Sequence, residues 1–117
     1  MKKIYHLTTC DTNRKILGSI DTDGFEMINI KVNPIDAETL DWLKSKVGSY
    51  YQLFNTKAQL YKLVPIEKRP KRDIGYRKFI LSDYTYLKRP VIIDGEELFI
   101  GSDKSVVQKL MEHVPKK

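Results

Sequence analysis

The chain has little chemistry to spare. It carries one cysteine, Cys10, and two histidines. A single thiol forbids an intrachain disulfide, and one thiol with two imidazoles cannot build a cysteine-rich zinc site. Long apolar runs are also missing. The longest are three or four residues, such as Val91-Ile92-Ile93, where a spanning helix needs about 20. Met1-Lys2-Lys3 looks like a basic leader, but only Ile4-Tyr5 follows before His6, well short of the apolar core of about 7–15 residues in a secretory signal. The expected location is therefore the cytoplasm, with no membrane association. A P-loop pattern, a Cys-x-x-Cys pair, internal repeats and low-complexity segments are absent as well. The spacing from Cys10 to Arg14 is too short for a phosphatase loop.

What is present is an ordinary globular composition, 41% hydrophobic and 31% charged over 117 residues. That excludes a disordered tail or a collagen-like repeat and predicts one domain. The net charge of +6 is uneven: residues 1–60 hold 8 basic and 7 acidic side chains, residues 61–117 hold 13 and 8. Lys62, Lys68, Arg69, Lys71, Arg72, Arg77 and Lys78 crowd one stretch against Glu67 and Asp73. Such a stretch could attract an acidic face, or it could be a solvated loop and helix. No aromatic is interleaved with residues 68–72, as single-strand stacking would want, so direct nucleic-acid binding is not expected.

Periodicity predicts the elements. Ile4 to Leu7 reads as a strand, and Asn13 to Ile20 as a helix with Ile16, Leu17 and Ile20 on one face. Phe25 to Val32 alternates, with Ile28, Ile30 and Val32 on one side, as a strand near a sheet edge does. Asp36 is a plausible N-cap for a helix carrying Leu40, Leu43 and Val47, and Gly48 ends it. Two strands joined by a helical crossover should be parallel.

Residues 49–86 read as a helical insertion with too few apolar residues for a core of its own. Asp73 to Leu81 within it is a short helix with Ile74, Ile80 and Leu81 inward. Pro90 to Ile93 is a strand, Asp94-Gly95 suits a two-residue type I′ turn, and Leu98 to Ile100 pairs back. Ser102 or Asp103 then caps a last helix with Val106, Val107, Leu110, Met111 and Val114 in one stripe. The order β-α-β, helices, β-β-α is the α/β thioredoxin layout, with a four-stranded mixed sheet.

Cys10 falls between a strand end and a helix start. Free backbone N–H groups and the positive end of the helix dipole meet there and favour a thiolate. Arg14, one turn on, can add a second positive charge. The bland alternative, a lone cysteine as a small buried hydrophobe, fits less well with the polar flanks Thr8, Thr9, Asp11 and Thr12. His6 lies on the strand and reads as a satisfied sheet residue rather than a partner of the thiol. Arg89-Pro90 opens the third strand, where a proline is tolerated, and the layout puts Arg89 beside the Cys10 loop as an anion ligand. The alternative is a surface arginine before an edge proline.

These residues resemble the arsenate reductase (ArsC)/Spx family of thioredoxin-fold proteins, and within it the YffB-like glutathione-linked branch. The carriers are Ile4-Tyr5-His6 with Cys10-Asp11-Thr12-Asn13-Arg14-Lys15, then Phe54-Asn55-Thr56-Lys57 with Tyr61, then Leu87 through Gly95 with Ile100-Gly101. The resemblance implies that Cys10 is the nucleophile and that it attacks an oxyanion such as arsenate, or a disulfide sulfur. Arg14 would support the thiolate, and Arg89 would hold the oxyanion or a glutathione carboxylate. Thr12, Asn55 and Ser102 would be further anion contacts, and Arg89–Pro90 a cis peptide.

No bound cofactor is implied. Glutathione would be the co-substrate and glutaredoxin the resolving partner, because the chain has no second thiol. A monomer is the expected state. Members that reduce arsenate grip it with a set of arginines, of which only Arg89 is matched; the others fall near Asn55 and Ser102. Lys57 and Lys104 lie close, but a point-charge amine does not replace a bidentate guanidinium. Two lost charge-assisted contacts at about 1.5–3 kcal/mol each weaken binding by about two to four decades, so efficient arsenate reduction is not expected. The other branch, Spx, implies a non-enzymatic regulator that binds the RNA polymerase α subunit. Its redox switch uses a cysteine pair, which Asn13 breaks.

Overall fold

The computed structural model describes residues 1–116. Backbone contacts divide them into two compact units, one of residues 1–33 and 89–116 and one of residues 34–88.

The first unit is built on a four-stranded sheet of β1 (Lys2–His6), β2 (Glu26–Asn29), β3 (Val91–Asp94) and β4 (Glu97–Ile100), in the order β2-β1-β3-β4. β1 runs parallel to β2, with Tyr5 opposite Ile28, and antiparallel to β3, with Tyr5 opposite Val91. This is the mixed sheet expected from the sequence, with β2 at an edge. Ile4, Ile92 and Phe99 are lateral neighbours across three strands. They join Ile16 of α1 (Asp11–Gly18), Ile20, Phe25 and Leu110 of α5 (Lys104–His113) in one buried cluster. Val91, Ile92 and Ile93 are all fully buried, which is why β3 reads as an unbroken apolar run.

Three details of this unit differ from the sequence reading. β2 stops at Asn29, whose carbonyl accepts from the Val32 amide in a turn, so Val32 is 71% exposed rather than inward. The β3–β4 loop is Gly95-Glu96, because Asp94 pairs with Glu97. Only Gly95 has positive φ there, +61°, which is the pattern of a type II′ turn and not the expected I′. The cap of α5 is Asp103, and Met111 faces outward while Leu110 takes the core position.

The second unit holds α2 (Ala37–Val47), α3 (Gln59–Lys62), α4 (Asp73–Ser82) and short 3-10 turns at Tyr51–Leu53, Ile66–Lys68 and Tyr84–Tyr86. α2 is bounded as predicted. The Asp36 carboxylate accepts from the Thr39 amide at 2.7 Å, and Gly48 closes it at φ +102°. The segment after α2 does have a packed interior, and aromatics supply it. Phe54 stacks on Tyr86 with centroids 5.5 Å apart and meets Tyr61 and Tyr76 edge-on or tilted at 4.9 Å. Inward on α4 is Ile80; Ile74 and Leu81 are exposed, because Tyr76 and Phe79 occupy the face turned to that cluster. Among the described residues no helix is long and apolar enough to cross a membrane.

A polar clasp joins α2 and α4 in this unit. The Arg77 guanidinium donates to both carboxylate oxygens of Asp41, at 2.8 and 3.2 Å, and the Tyr50 hydroxyl donates at 2.7 Å. The Arg77 bond, then that of Tyr50, holds the Asp41 carboxyl below the usual carboxylate range. A carboxylate lowered on folding stabilises fully above its unfolded value, and that contribution is lost as pH falls through the lowered one. Asp41→Asn is therefore expected to lower the urea midpoint at pH 7, with the gap from wild type closing as pH falls past the ordinary carboxylate value of about 3.9 and through the lowered one. A gap that does not change with pH would contradict this.

Candidate functional site

The loop between β1 and α1 is a tight reversal. The Cys10 amide donates to the Leu7 carbonyl at 3.1 Å, and the Cys10 carbonyl accepts from the Arg14 amide at 3.1 Å as the first helical bond. Cys10 is thus the N-cap of α1, with extended backbone at φ −92° and ψ 115° and no side-chain cap bond. The amides of Asp11, Thr12 and Asn13 precede that first bond and have no helical acceptor. Cys10 itself is half-buried, at the solvent margin.

The feature that sequence reasoning missed is Asn13. It is 1% exposed, the one fully buried polar side chain among the described residues. Its Oδ1 accepts from the Leu7 amide at 3.0 Å, and its Nδ2 donates to Cys10 Sγ at 3.5 Å. Burying an amide without partners is costly, and here both ends are used. The sequence marked Asn13 only as the place where a second cysteine is missing. The available signal was its position, three residues after the N-cap and on the inward face with Ile16.

The other candidate residues divide by location. Arg14 pairs with Asp11 on the solvent side, where the two side chains are 65% and 79% exposed. Its charge is thus directed at a neighbouring carboxylate rather than at the thiol. Thr12 is exposed in the first turn of α1. Arg89 is half-buried, with its Nε out of solvent, and the Arg89–Pro90 peptide is cis, as expected.

Because Tyr5 pairs with Val91 antiparallel, Pro90 continues opposite His6 at the end of the sheet from which the Cys10 loop emerges. The Gly101 amide donates to the Pro90 carbonyl at 2.9 Å, which brings exposed Ser102 to that same end. Cys10, Arg89, Pro90 and Ser102 therefore lie toward one end of the sheet. His6 is half-buried at the last position of β1, and burial lowers its pKa.

Asn55 and Lys57 belong to the second unit. The Asn55 side chain is already engaged there, donating to the Thr85 carbonyl at 3.3 Å and accepting from the Lys57 amide at 3.1 Å. Lys104 is exposed at the start of α5, where it lines an open groove of about 480 Å³ with Ser102, Val107, Gln108, Met111 and Glu112. Neither Cys10 nor Arg89 lines that groove. Among the described residues no group of three or more histidine, cysteine, aspartate or glutamate side chains could hold a metal ion.

Serine is a preferred N-cap and cysteine is not. Cys10→Ser should accordingly leave thermal stability unchanged or raise it by up to about 1 kcal/mol, as read by circular-dichroism melts. A loss above about 2 kcal/mol would show that the sulfur has a structural role.

The family model described as "ArsC family" matches residues 5–110. No curated protein matches the chain. Solved structures do. A protein named YFFB superposes with TM-score 0.82 at 18% identity, over 98% of this chain and 99% of that one. A putative arsenate reductase from Yersinia pestis gives 0.75 at 20%, over 96% and 99%. An arsenate reductase (ArsC) related protein from Brucella melitensis gives 0.67 at 26%, over 95% and 94%.

Proposed function

The chain belongs to the ArsC family, and on that premise we propose that it is a cytoplasmic thiol-dependent reductase in which Cys10 is the sole nucleophile and glutathione the external thiol. The observation that carries this reading is the placement of Cys10 as the N-cap of α1, at the sheet end it shares with Arg89 and Ser102.

The chemistry follows from a single thiol. The Cys10 thiolate attacks the glutathionyl sulfur of a mixed disulfide. The old S–S bond breaks, the released sulfur leaves as a thiolate and takes a proton, and Cys10 holds glutathione. A second glutathione, or glutaredoxin, attacks that adduct and restores Cys10. The net result is one disulfide reduced and one formed. Helix amides at α1 favour the attacking thiolate, and Arg89 holds a carboxylate or oxyanion of the substrate. Thr12 and Ser102 offer hydroxyls at the exposed rim. Arsenate is a poor substrate in this reading, since of the arginines with which arsenate-reducing members grip the anion the sequence matches only Arg89.

A second reading, a non-enzymatic regulator that binds the RNA polymerase α subunit, is favoured by one surface. Leu63 and Ile66 are 78% and 80% exposed, next to the exposed cations Lys62, Lys68, Lys71 and Arg72.

Turnover of a glutathione mixed disulfide, coupled to glutathione and glutathione reductase, separates the two. Wild type should exceed the uncatalysed rate. Cys10→Ser should abolish the excess, and Arg89→Ala should lower kcat/KM by about tenfold or more. Arsenate turnover with glutathione and glutaredoxin should stay far below the disulfide rate. Wild type at the buffer rate, with glutathione-induced NMR shifts confined to residues 62–78, would favour the regulator.

A further inference from the structure

We propose that Asn13 is the positioning residue of the thiol: its side-chain amide, locked by the Leu7 backbone, aims a hydrogen-bond donor at the Cys10 sulfur and so favours the ionised form. The inference rests on the reading of Cys10 as a nucleophile and names a residue that this reading does not use.

The geometry has three parts. Asn13 is 1% exposed, so both ends of its amide need partners. The Leu7 amide, donating to Oδ1 at 3.0 Å, fixes which end is oxygen and therefore which end faces Cys10. The nitrogen that remains lies 3.5 Å from Sγ, within reach for sulfur. A donor in that place stabilises a thiolate more than a thiol, because a charged acceptor strengthens the bond. Leu7 is the first residue after β1, so the donor is referenced to the central sheet rather than to a loose loop. Arg14 does not supply this function, because its guanidinium is paired with Asp11 on the exposed side.

The lone cysteine makes the test simple, since any alkylation of the full chain by iodoacetamide reports on Cys10. In Asn13→Ala the midpoint of the pH–alkylation profile should move up by about one unit, a roughly tenfold loss of rate at pH 6.5. The high-pH plateau should be equal or higher, because a less stabilised thiolate is the better nucleophile. A purely structural role for Asn13 would change the plateau through access to the sulfur and leave the midpoint in place.

Asn13→Asp keeps the oxygen for the Leu7 amide and replaces the donor with a carboxylate oxygen that repels a thiolate, so it covers the case in which the alanine variant fails to fold. Its midpoint should also rise, by at least as much. If wild type alkylates faster than free glutathione at pH 6.5 but the folded variants keep its midpoint, the role of Asn13 is overturned and the nucleophile reading stands. If wild type is no faster than glutathione, both fall.

Discussion

A buried amide at the junction of a strand and a helix is the constraint around which the first unit is organised. Asn13 has almost no contact with water, so its oxygen and nitrogen must be satisfied from within. The oxygen takes the first amide past β1 and the nitrogen takes the sulfur at the start of α1. One side chain thereby links the residue after β1 to the sulfur at the head of α1, across the reversal that the Cys10 amide closes on the Leu7 carbonyl. Ile16, one turn further along the same face, carries the helix into the apolar cluster with Ile4, Ile92 and Leu110. Polar anchor and apolar seat lie on one stripe of one helix, so the site inherits the rigidity of the core.

Magnitudes rank what favours an ionised sulfur at this place. A helix N-terminus contributes about 0.3–1 kcal/mol at an exposed margin and up to about 2 when partly buried. A hydrogen bond to a charged group contributes about 1.5–3 kcal/mol. An exposed ion pair such as Arg14 with Asp11 is worth only about 0–1 kcal/mol, and Arg14 directs its charge to that carboxylate. Support of the thiolate therefore falls, in the proposed reading, to the amides of the first turn and the Asn13 donor rather than to Arg14. Arg89 has a different task in the proposed mechanism, that of holding a substrate anion; it precedes β3, with its Nε out of solvent.

How much of this was legible depended on the kind of signal. The order of strands and helices could be read because it rests on apolar period. β3 is a solid apolar run because all three of its first residues are buried, and α2 is framed by Asp36 and Gly48. Cys10 could be placed at a strand–helix junction for the same reason. Signals that depend on a single partner could not be read. Val32 and Met111 fit their stripes, yet one lies past a turn and the other one step around the helix from Leu110. The hairpin shifted by one residue because Gly95, not Asp94, takes the positive φ. The interior of residues 49–86 escaped a count of apolar residues because tyrosines and phenylalanines, packed ring against ring, build it. Asn55 falls near a family anion position by sequence, but its amide is engaged with Thr85 and Lys57, a pairing that no sequence pattern announces. Asn13 was noticed for what it is not, a cysteine, before its hydrogen bonds gave it a role.

The central claim is that one sulfur, set at the head of α1, exchanges with glutathione and depends on an outside thiol for release. Intact-protein mass spectrometry after brief incubation with oxidised glutathione at neutral pH tests it most directly. The account predicts a single glutathione adduct, located on Cys10 by peptide mapping and removed on adding reduced glutathione. A chain that stays unmodified while remaining folded would contradict it.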